Sequence, residues 1–228
     1  MKDDLSGILI VDKEKNMTSH DVVQFVRRKF SIKKVGHAGT LDPNATGVLV
    51  LLLGDATKLS AGLIMDEKEY EAVMKLGEKT DSGDCRGKIV RKIDVNISAD
   101  VIRKIFLEFT GEIEQVPPMV SAKSVGGKRL YKLALKGIEV ERKAQKIFIK
   151  KLEIKKIELP YISFDVICSK GTYIRQLADD IGERLGSGGH LTELRRTRSG
   201  RFSIDRSISF EKLHGMDRQE LGENILRI

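Results

Sequence analysis

The sequence predicts an α+β fold in which a mixed, mostly antiparallel central sheet is flanked by helices and loops. Strand-like stretches are numerous, and in "YISFDVICS" apolar residues alternate with more polar ones, as in a strand with one buried face. Helical patterns occur only at irregular intervals between these stretches, which argues against the regular β-α-β alternation of a parallel sheet. With 228 residues, the chain is long enough to bury a sizeable core.

Local patterns predict the elements of the first half in order. "GILIVD" at residues 7–12 is typical of a short buried strand, and "TSHDVVQFVRRKF" at 18–30 is typical of a helix capped by Thr18 or Ser19. A second helix is expected over 98–109, with Ser98 as its cap and Gly111 as its stop. The remaining expectations are strands at 48–53 and 68–77, a short helix at 55–65 and a turn-rich loop at 79–87.

The second half continues the same mixture. Two strands are expected at 146–159 and 161–169, and they are followed by an amphipathic helix at 172–185. "GSGGH" at 186–190 predicts a flexible loop, and "ELRRTRSGRFSI" at 193–204 predicts a basic strand or strand pair. A short helix is also expected at 129–136.

The charge is unevenly distributed along the chain. Residues 1–120 hold 18 Lys and Arg against 19 Asp and Glu, whereas residues 121–228 hold 23 against 14, so the halves carry −1 and +9. This asymmetry suits a polyanion such as a nucleic acid or a membrane surface, but it also suits a lysine-rich solubility face. The two cysteines have no metal-ligand spacing, and neither a membrane span nor a signal peptide is predicted, so we expect a cytoplasmic protein.

The loop "GHAGTLDPNATG" at 36–47 contains the first candidate for chemistry. Its glycines permit unusual backbone conformations, and Pro43 favours an extended backbone at Asp42, which can point the carboxylate out of the loop. Such a carboxylate can act as a nucleophile, a general base or a metal ligand. The alternative is an Asp-Pro turn in which Asp42 bonds only to local backbone, and His37 alone decides nothing.

Two further stretches carry candidate residues. In "SKGTYIRQLADDIG" at 169–182, Tyr173 and Arg175 lie where a strand gives way to a helix, and an arginine there can keep a nearby carboxylate ionised. The alternative is surface packing. In "LRRTRSGR", Arg195, Arg196 and Arg198 suit contacts to a phosphate backbone, or they form the charged edge of a sheet.

These motifs together resemble one family. "GHAGTLDPNATGVL", "KEYEA", "KLGEKTDSGD", "VPPMVSAKSVGGKRLYKLALKGIEV", "CSKGTYIRQLADDIGERLG" and "GGHLTELRRTRSGRF" resemble, in order, the blocks of the bacterial tRNA pseudouridine-55 synthases, the TruB family. The resemblance covers residues 7–213 and implies a pseudouridine-synthase-type fold. We therefore expect a catalytic domain at 1–213 and a short tail at 214–228, without the C-terminal RNA-binding domain, often of the PUA type, that typical members carry.

The resemblance implies an activity: the isomerisation of uridine 55 to pseudouridine in the T-loop of tRNA. It also implies a role for each matching residue. Asp42 is the catalytic nucleophile and Arg175 the arginine paired with it, while His37 enters the RNA loop and helps to displace the target nucleotide. The other implied site residues are Tyr70 against the base and as a candidate for the C5 proton transfer, Tyr173 and Leu194 as pocket walls, Lys13 and Asp84 near the site, and Arg195, Arg196 and Arg198 at the RNA backbone.

The implied reaction involves neither redox chemistry nor hydrolysis, so we expect no metal and no cofactor. The expected partner is the T-arm stem-loop of tRNA, with no membrane and no obligatory protein partner, and we expect a monomer. One departure is "DKEK", in which Glu14 follows Lys13 where the family usually has Asp-Lys-Pro. Two alternatives stay open: an RNA-guided enzyme of the dyskerin type, and a tRNA-binding or RNA-chaperone protein without catalytic activity.

Overall fold

The computed structural model describes residues 5–64, 67–121, 123–134 and 136–227. The chain divides into two compact units. The first unit contains residues 1–70 and 195–228, and the second contains residues 71–194. The described residues nearest both ends of the chain therefore belong to the first unit.

Strands and helices alternate irregularly along the described chain. The strands are β1 (Gly7–Lys13), β2 (Val35–His37), β3 (Thr46–Leu53), β4 (Lys68–Leu76), β5 (Glu78–Thr80), β6 (Ile89–Lys92), β7 (Gly111–Gln115), β8 (Ser124–Val125), β9 (Lys128–Arg129), β10 (Gln145–Glu158), β11 (Tyr161–Cys168), β12 (Gly189–Ser199), β13 (Phe202–Ser203) and β14 (Ile208–Ser209). The α-helices are α1 (Ser19–Lys29), α2 (Ser60–Ile64), α3 (Ala99–Glu108), α4 (Leu130–Ala134), α5 (Ile174–Arg184), α6 (Phe210–Gly215) and α7 (Arg218–Glu223), and 3₁₀ turns lie at Gly54–Leu59 and Ile204–Arg206.

The first unit is organised around β3, which is buried along nearly its whole length. The strand order is β14-β1-β3-β12, with β2 on β3 and β13 on β12. β1 pairs with β3 in antiparallel register, from Gly7 opposite Leu53 to Lys13 opposite Gly47. On one face of this sheet the side chains of alternate residues form an apolar cluster of Ile8, Ile10, Ala38, Val48, Val50, Leu52, Ala56 and Phe202.

The second unit is built on long antiparallel strands. Its strand order is β12-β4-β11-β10-β7. β10 pairs with both β11 and β7, and the alternating residues Ile162, Phe164, Val166 and Cys168 of β11 are all buried, as the pattern predicts. Phe164 meets Phe106 of α3 edge to face, with ring centroids 5.5 Å apart.

The predicted fold class is confirmed. The pairs β1–β14 and β3–β12 are parallel, whereas β1–β3, β2–β3, β7–β10, β10–β11 and β12–β13 are antiparallel. Helices α1, α3 and α5 each bury one apolar stripe, as their sequence periodicity predicts.

The helix caps also agree with the sequence. Thr18 caps α1 in a reciprocal capping box with Asp21, and Ser98 caps α3 by accepting a hydrogen bond from the amide of Val101. The expected helix at 55–65 is a 3₁₀ turn followed by α2, and the one at 129–136 is the shorter α4. Met65 and Leu135 lie outside the described residues.

The flexible loop expected at 186–190 is wrong for its last two residues. Gly189 and His190 begin β12 and are buried, and His190 Nδ1 lies 3.0 Å from the carbonyl oxygen of Glu78. Packing against this segment requires a glycine at position 182 of α5, because a Cβ on Gly182 would lie 2.3 Å from the nitrogen of Gly189. The glycines here allow close approach of two segments rather than mobility.

The segment expected as a tail is folded within the first unit. Leu221 of α7 is fully buried, and Leu226 exchanges two main-chain hydrogen bonds with Ile8 of β1, at 2.8 and 2.9 Å. Within the described residues, no helix is both long and apolar enough to cross a membrane.

Candidate active site

The loop that carries Asp42 connects β2 to β3 and is held by main-chain hydrogen bonds. The amide of Ala45 donates to the carbonyl of Asp42 at 3.0 Å, which closes a turn, and the amide of Asn16 donates to the carbonyl of Pro43 at 2.8 Å. Asp42 itself is half-buried. The loop is therefore a turn, as the simpler interpretation predicted, but one that is tied to a second segment of the chain.

Helix α1 provides another attachment for this loop. Ser19, the first residue of the helix, is buried, and its hydroxyl both donates to the carbonyl of Leu41 at 3.1 Å and accepts from the amide of Leu41 at 2.8 Å. A single hydroxyl thus satisfies both main-chain groups of the residue before Asp42. Sequence reasoning identified Ser19 only as a possible helix cap, because its partner lies 22 positions away.

Lys13 ends β1 and is fully buried, which is rare for a lysine. Its ammonium group donates to the carbonyls of Glu14 at 2.8 Å and Met17 at 2.9 Å. Burial lowers the pKa of Lys13 from 10.5 to about 8, and the negative charge of Asp42 opposes this effect. Lys13 is therefore within electrostatic reach of Asp42.

His37 is the last residue of β2 and is half-buried beside the same loop. Its Nδ1 is buried, and among the described residues it has no hydrogen-bond partner. Burial lowers the pKa of His37 below 6.5, and the positive charge of Arg196 adds to the effect. The ring is therefore neutral at physiological pH and offers a flat, uncharged surface.

The three arginines expected at the RNA backbone have different environments. Arg195 forms a two-point ion pair with Asp12, at 2.7 and 3.2 Å, and Arg198 pairs with Glu69. Both side chains remain partly exposed. Arg196 differs from the expectation, because its side chain is only 1% exposed and its guanidinium donates to main-chain carbonyls inside the first unit.

Tyr70 is the last of the predicted site residues in the first unit. It lies on β4 and is half-buried. Among the other site residues of this unit, Lys13 interacts electrostatically with Asp42 and Arg196, and His37 does so with Arg196.

The second unit holds the other predicted residues, beginning with Arg175. This residue is 4% exposed and follows Ile174 at the start of α5. Its guanidinium donates to the carbonyls of Ser82 at 2.9 Å and Val120 at 2.8 Å, and its Nε lies 4.0 Å from Oδ2 of Asp84. The structure brings Arg175 and Asp84 together, while the implied pairing of Arg175 with Asp42 remains a prediction.

Asp84 belongs to a tight turn between β5 and β6. Its Oδ1 accepts from the Ser82 hydroxyl at 2.8 Å and from the amide of Arg86 at 3.0 Å. This geometry fixes the turn that supplies one of the carbonyl partners of Arg175. The interactions within the second unit therefore give Asp84 a role in holding the turn and Arg175.

Tyr173 is held by a residue that sequence reasoning missed. The side-chain amide of Gln115, at the end of β7, donates to the Tyr173 carbonyl at 3.1 Å and accepts from the Tyr173 amide at 2.9 Å. Gln115 is 1% exposed. A polar residue that ends a strand just before "VPP" is the only sequence signal for it. Leu194, the other expected wall residue in this unit, is half-buried on β12.

The arrangement offers a half-buried carboxylate on an anchored turn, with a buried ammonium group and a neutral imidazole near it. These groups can supply a nucleophile or a base together with a flat surface for a base ring. In the ranges that the structure describes, His, Cys, Asp and Glu side chains form no group of three or more that could hold a metal ion.

Comparisons with known proteins agree with the geometry and the motifs. A model of the TruB family pseudouridylate synthase N-terminal domain matches residues 27–174, and a model of the tRNA pseudouridylate synthase B C-terminal domain matches residues 175–227. A tRNA pseudouridine synthase B of Alkaliphilus oremlandii is 49% identical over 216 residues, which are 95% of this chain and 72% of that protein. One from Clostridium tetani is 48% identical over 217 residues, 95% of this chain and 75% of that protein.

A solved structure has the same fold. A chain in the crystal structure of a Cbf5-Nop10-Gar1 complex superimposes with a TM-score of 0.75 at 31% identity, and the match covers 97% of this chain and 60% of that one. The family model matches more than half of the chain, and both curated relatives are matched over more than two thirds of their length. The chain therefore belongs to the TruB family of pseudouridylate synthases.

Proposed function

We propose that this chain isomerises uridine to pseudouridine at position 55, in the T-loop of tRNA. The observation that carries the proposal is the anchored turn that presents Asp42 in a chain of the TruB family. The relatives at 48–49% identity are tRNA pseudouridine synthases B, which favours tRNA as the substrate. We also infer a cytoplasmic monomer that needs no protein partner.

The reaction requires the target nucleotide to leave the RNA stack. A base that is stacked in a folded loop exposes neither C1′ nor C5 to a protein group, so it must be flipped into a pocket. The neutral, half-buried ring of His37 suits insertion into the place that the base leaves, because an uncharged flat ring can stack on neighbouring bases. Tyr70, Tyr173 and Leu194 are the proposed walls around the flipped uridine.

The chemistry conserves every atom of the uridine. The N1–C1′ bond breaks, the uracil turns, a C5–C1′ bond forms, C5 loses its proton and N1 gains one. Asp42 is the proposed nucleophile, and it can attack C1′, attack the base or remove a proton from the sugar. Tyr70 is the proposed base, or the group that positions the base, for removal of the C5 proton.

The proposal is tested by mapping pseudouridine in tRNA after incubation with the purified chain. The expected result is a single new pseudouridine at position 55, both in whole tRNA and in a bare T-arm stem-loop. A transcript with cytidine at position 55 is the control and should show no modification. Modification at another position, or none at all in either RNA, would contradict the proposed substrate.

A second candidate is an enzyme of the dyskerin type that needs a guide RNA. Its support is the likeness to the chain of the Cbf5-Nop10-Gar1 complex. The identity to that chain is 31%, against 49% to the curated relative from Alkaliphilus oremlandii, which favours the guide-independent enzyme. The bare stem-loop separates the two, since only the guide-independent enzyme modifies it when no other RNA or protein is present.

A further inference from the structure

Arg196 is among the largest fully buried side chains of the described residues. Its Nε donates to the carbonyl of Val48 at 2.7 Å, its Nη2 to that of Gly39 at 3.1 Å and its Nη1 to that of Thr40 at 3.4 Å. Gly39 and Thr40 belong to the loop of Asp42, and Val48 belongs to the strand that follows it. One side chain therefore connects both ends of this loop.

The backbone around Arg196 is shaped to bring it close to the loop. Arg196 on β12 lies opposite Gly47 of β3 in parallel register. Gly47 has a φ of +100°, and a Cβ at that position would lie 2.2 Å from the carbonyl oxygen of Arg196. Only glycine permits this approach, so Gly47 lets the backbone of Arg196 lie directly beside the end of the loop.

The hydrogen bonds of Arg196 complement those made by other segments. Arg196 binds the carbonyls of residues 39 and 40, Ser19 binds both main-chain groups of Leu41, and the amide of Asn16 binds the carbonyl of Pro43. The residues on both sides of Asp42 are thus fixed. The position of the carboxylate follows from these contacts, because its own main chain has little freedom between them.

We propose that Arg196 is a positioning residue for Asp42 rather than a contact to the RNA backbone. A guanidinium presents five N–H donors in a rigid planar fork and remains charged when buried, so it can hold several carbonyls at fixed angles. A lysine at this position keeps the charge but has a single nitrogen, which cannot bond three separate carbonyls in this geometry. This inference rests on the proposed function, since it assigns Arg196 a part in the work of Asp42.

The test compares Arg196→Lys with wild type in single-turnover tritium release at saturating enzyme and in tRNA binding at several salt concentrations. We expect the rate constant to fall on the order of 100-fold, because small displacements of a reacting group have effects of this size. The Kd and its salt dependence should change less than about twofold. Arg206→Lys, an exposed arginine of the same unit, is the matched control and should retain both properties.

Three outcomes would overturn the proposal. A weaker Kd with a salt slope reduced by about 1 and an unchanged rate constant would identify Arg196 as a phosphate contact. If Arg196→Lys matches wild type in every measurement, the separate nitrogen donors of the guanidinium are not needed to position Asp42. A loss of activity in Arg196→Lys without faster hydrogen exchange in the Asp42 loop would show that Arg196 does not act by holding this loop.

Hydrogen exchange measures the loop without any reference to activity. We expect peptides from residues 38–46 to exchange faster in Arg196→Lys than in wild type, with no change in peptides from β10 and β11. Should Arg196→Lys fail to fold, Ser19→Ala tests the same loop through its other buried anchor, with Thr110→Ala, an exposed side chain far from the loop in sequence, as its control. If the wild-type chain modifies no tRNA but the loop still exchanges faster in Arg196→Lys, the proposed function is refuted, while the role of Arg196 in holding the loop is supported.

Discussion

At the scale of single residues, Lys13 is a charged side chain in a fully buried position near Asp42. In the folded state its pKa is lowered to about 8, whereas the unfolded chain has the ordinary value of 10.5. Between these two pH values the unfolded state binds more protons than the folded state. Raising the pH through this window therefore stabilises the fold, and below about pH 8 the burial penalty is fully present.

Lys13→Met removes the titrating ammonium group and so tests this pH dependence of stability. The free energy of unfolding of wild type, relative to that of Lys13→Met, should rise by roughly 2 kcal/mol between pH 7 and pH 10. Urea denaturation at each pH measures the difference, and Lys15→Met, an exposed lysine, controls for the loss of one positive charge. Parallel curves for wild type and Lys13→Met would show that burial does not perturb Lys13.

At the scale of elements, Gln115 joins the end of β7 to the start of α5 through both main-chain groups of Tyr173. Gln115→Leu keeps a similar volume but removes the hydrogen-bond partner of the partly buried amide and carbonyl of Tyr173. We expect a loss of about 2–3 kcal/mol in the free energy of unfolding, measured by urea denaturation. Gln219→Leu, at an exposed position, should change stability by less than about 0.5 kcal/mol, and an equally small effect of Gln115→Leu would contradict the account.

Elements with local signals could be predicted from the sequence. The cap and stripe of α1 and the cap of α3 are determined by residues within a few positions, and the alternation in β11 reports its buried face directly. Short strands such as β2, β7 and β14 were missed, because they have two to five residues and are defined by their pairing. Gly189 and His190 were misassigned for a related reason: their strand is defined by packing against Met74 and helix α5, which no local pattern indicates.

In the candidate site too, some residues could be predicted from local sequence motifs and others could not. Asp42, His37 and Arg175 stand in motifs that a sequence displays, so they could be proposed before the fold was known. Ser19 and Gln115 act through partners 22 and 58 positions away, and no local pattern indicates that role. Arg196 had a clear sequence signal, as part of a basic cluster, but burial gives its charge a different use from the surface role that the cluster predicted.

At the scale of the whole molecule, the net charge of +8 favours binding to RNA through phosphates. Arg195 remains a predicted contact, since its side chain is 39% exposed despite the ion pair with Asp12. Arg195→Gln should weaken tRNA binding and reduce the slope of log Kd against log salt concentration by about 1, without a change in the single-turnover rate constant. An unchanged slope would show that Asp12, rather than RNA, is the partner of Arg195 in the complex.

The central claim is that Asp42 performs the chemistry, and tritium release from tRNA labelled at C5 of uridine tests it most directly. Wild type should release the label from position 55. Asp42→Asn, which preserves the size of the side chain but removes its charge, should release none while it still binds tRNA. Asp55→Asn, at an exposed carboxylate paired with Lys58, should remain as active as wild type. Full release by Asp42→Asn would contradict the account.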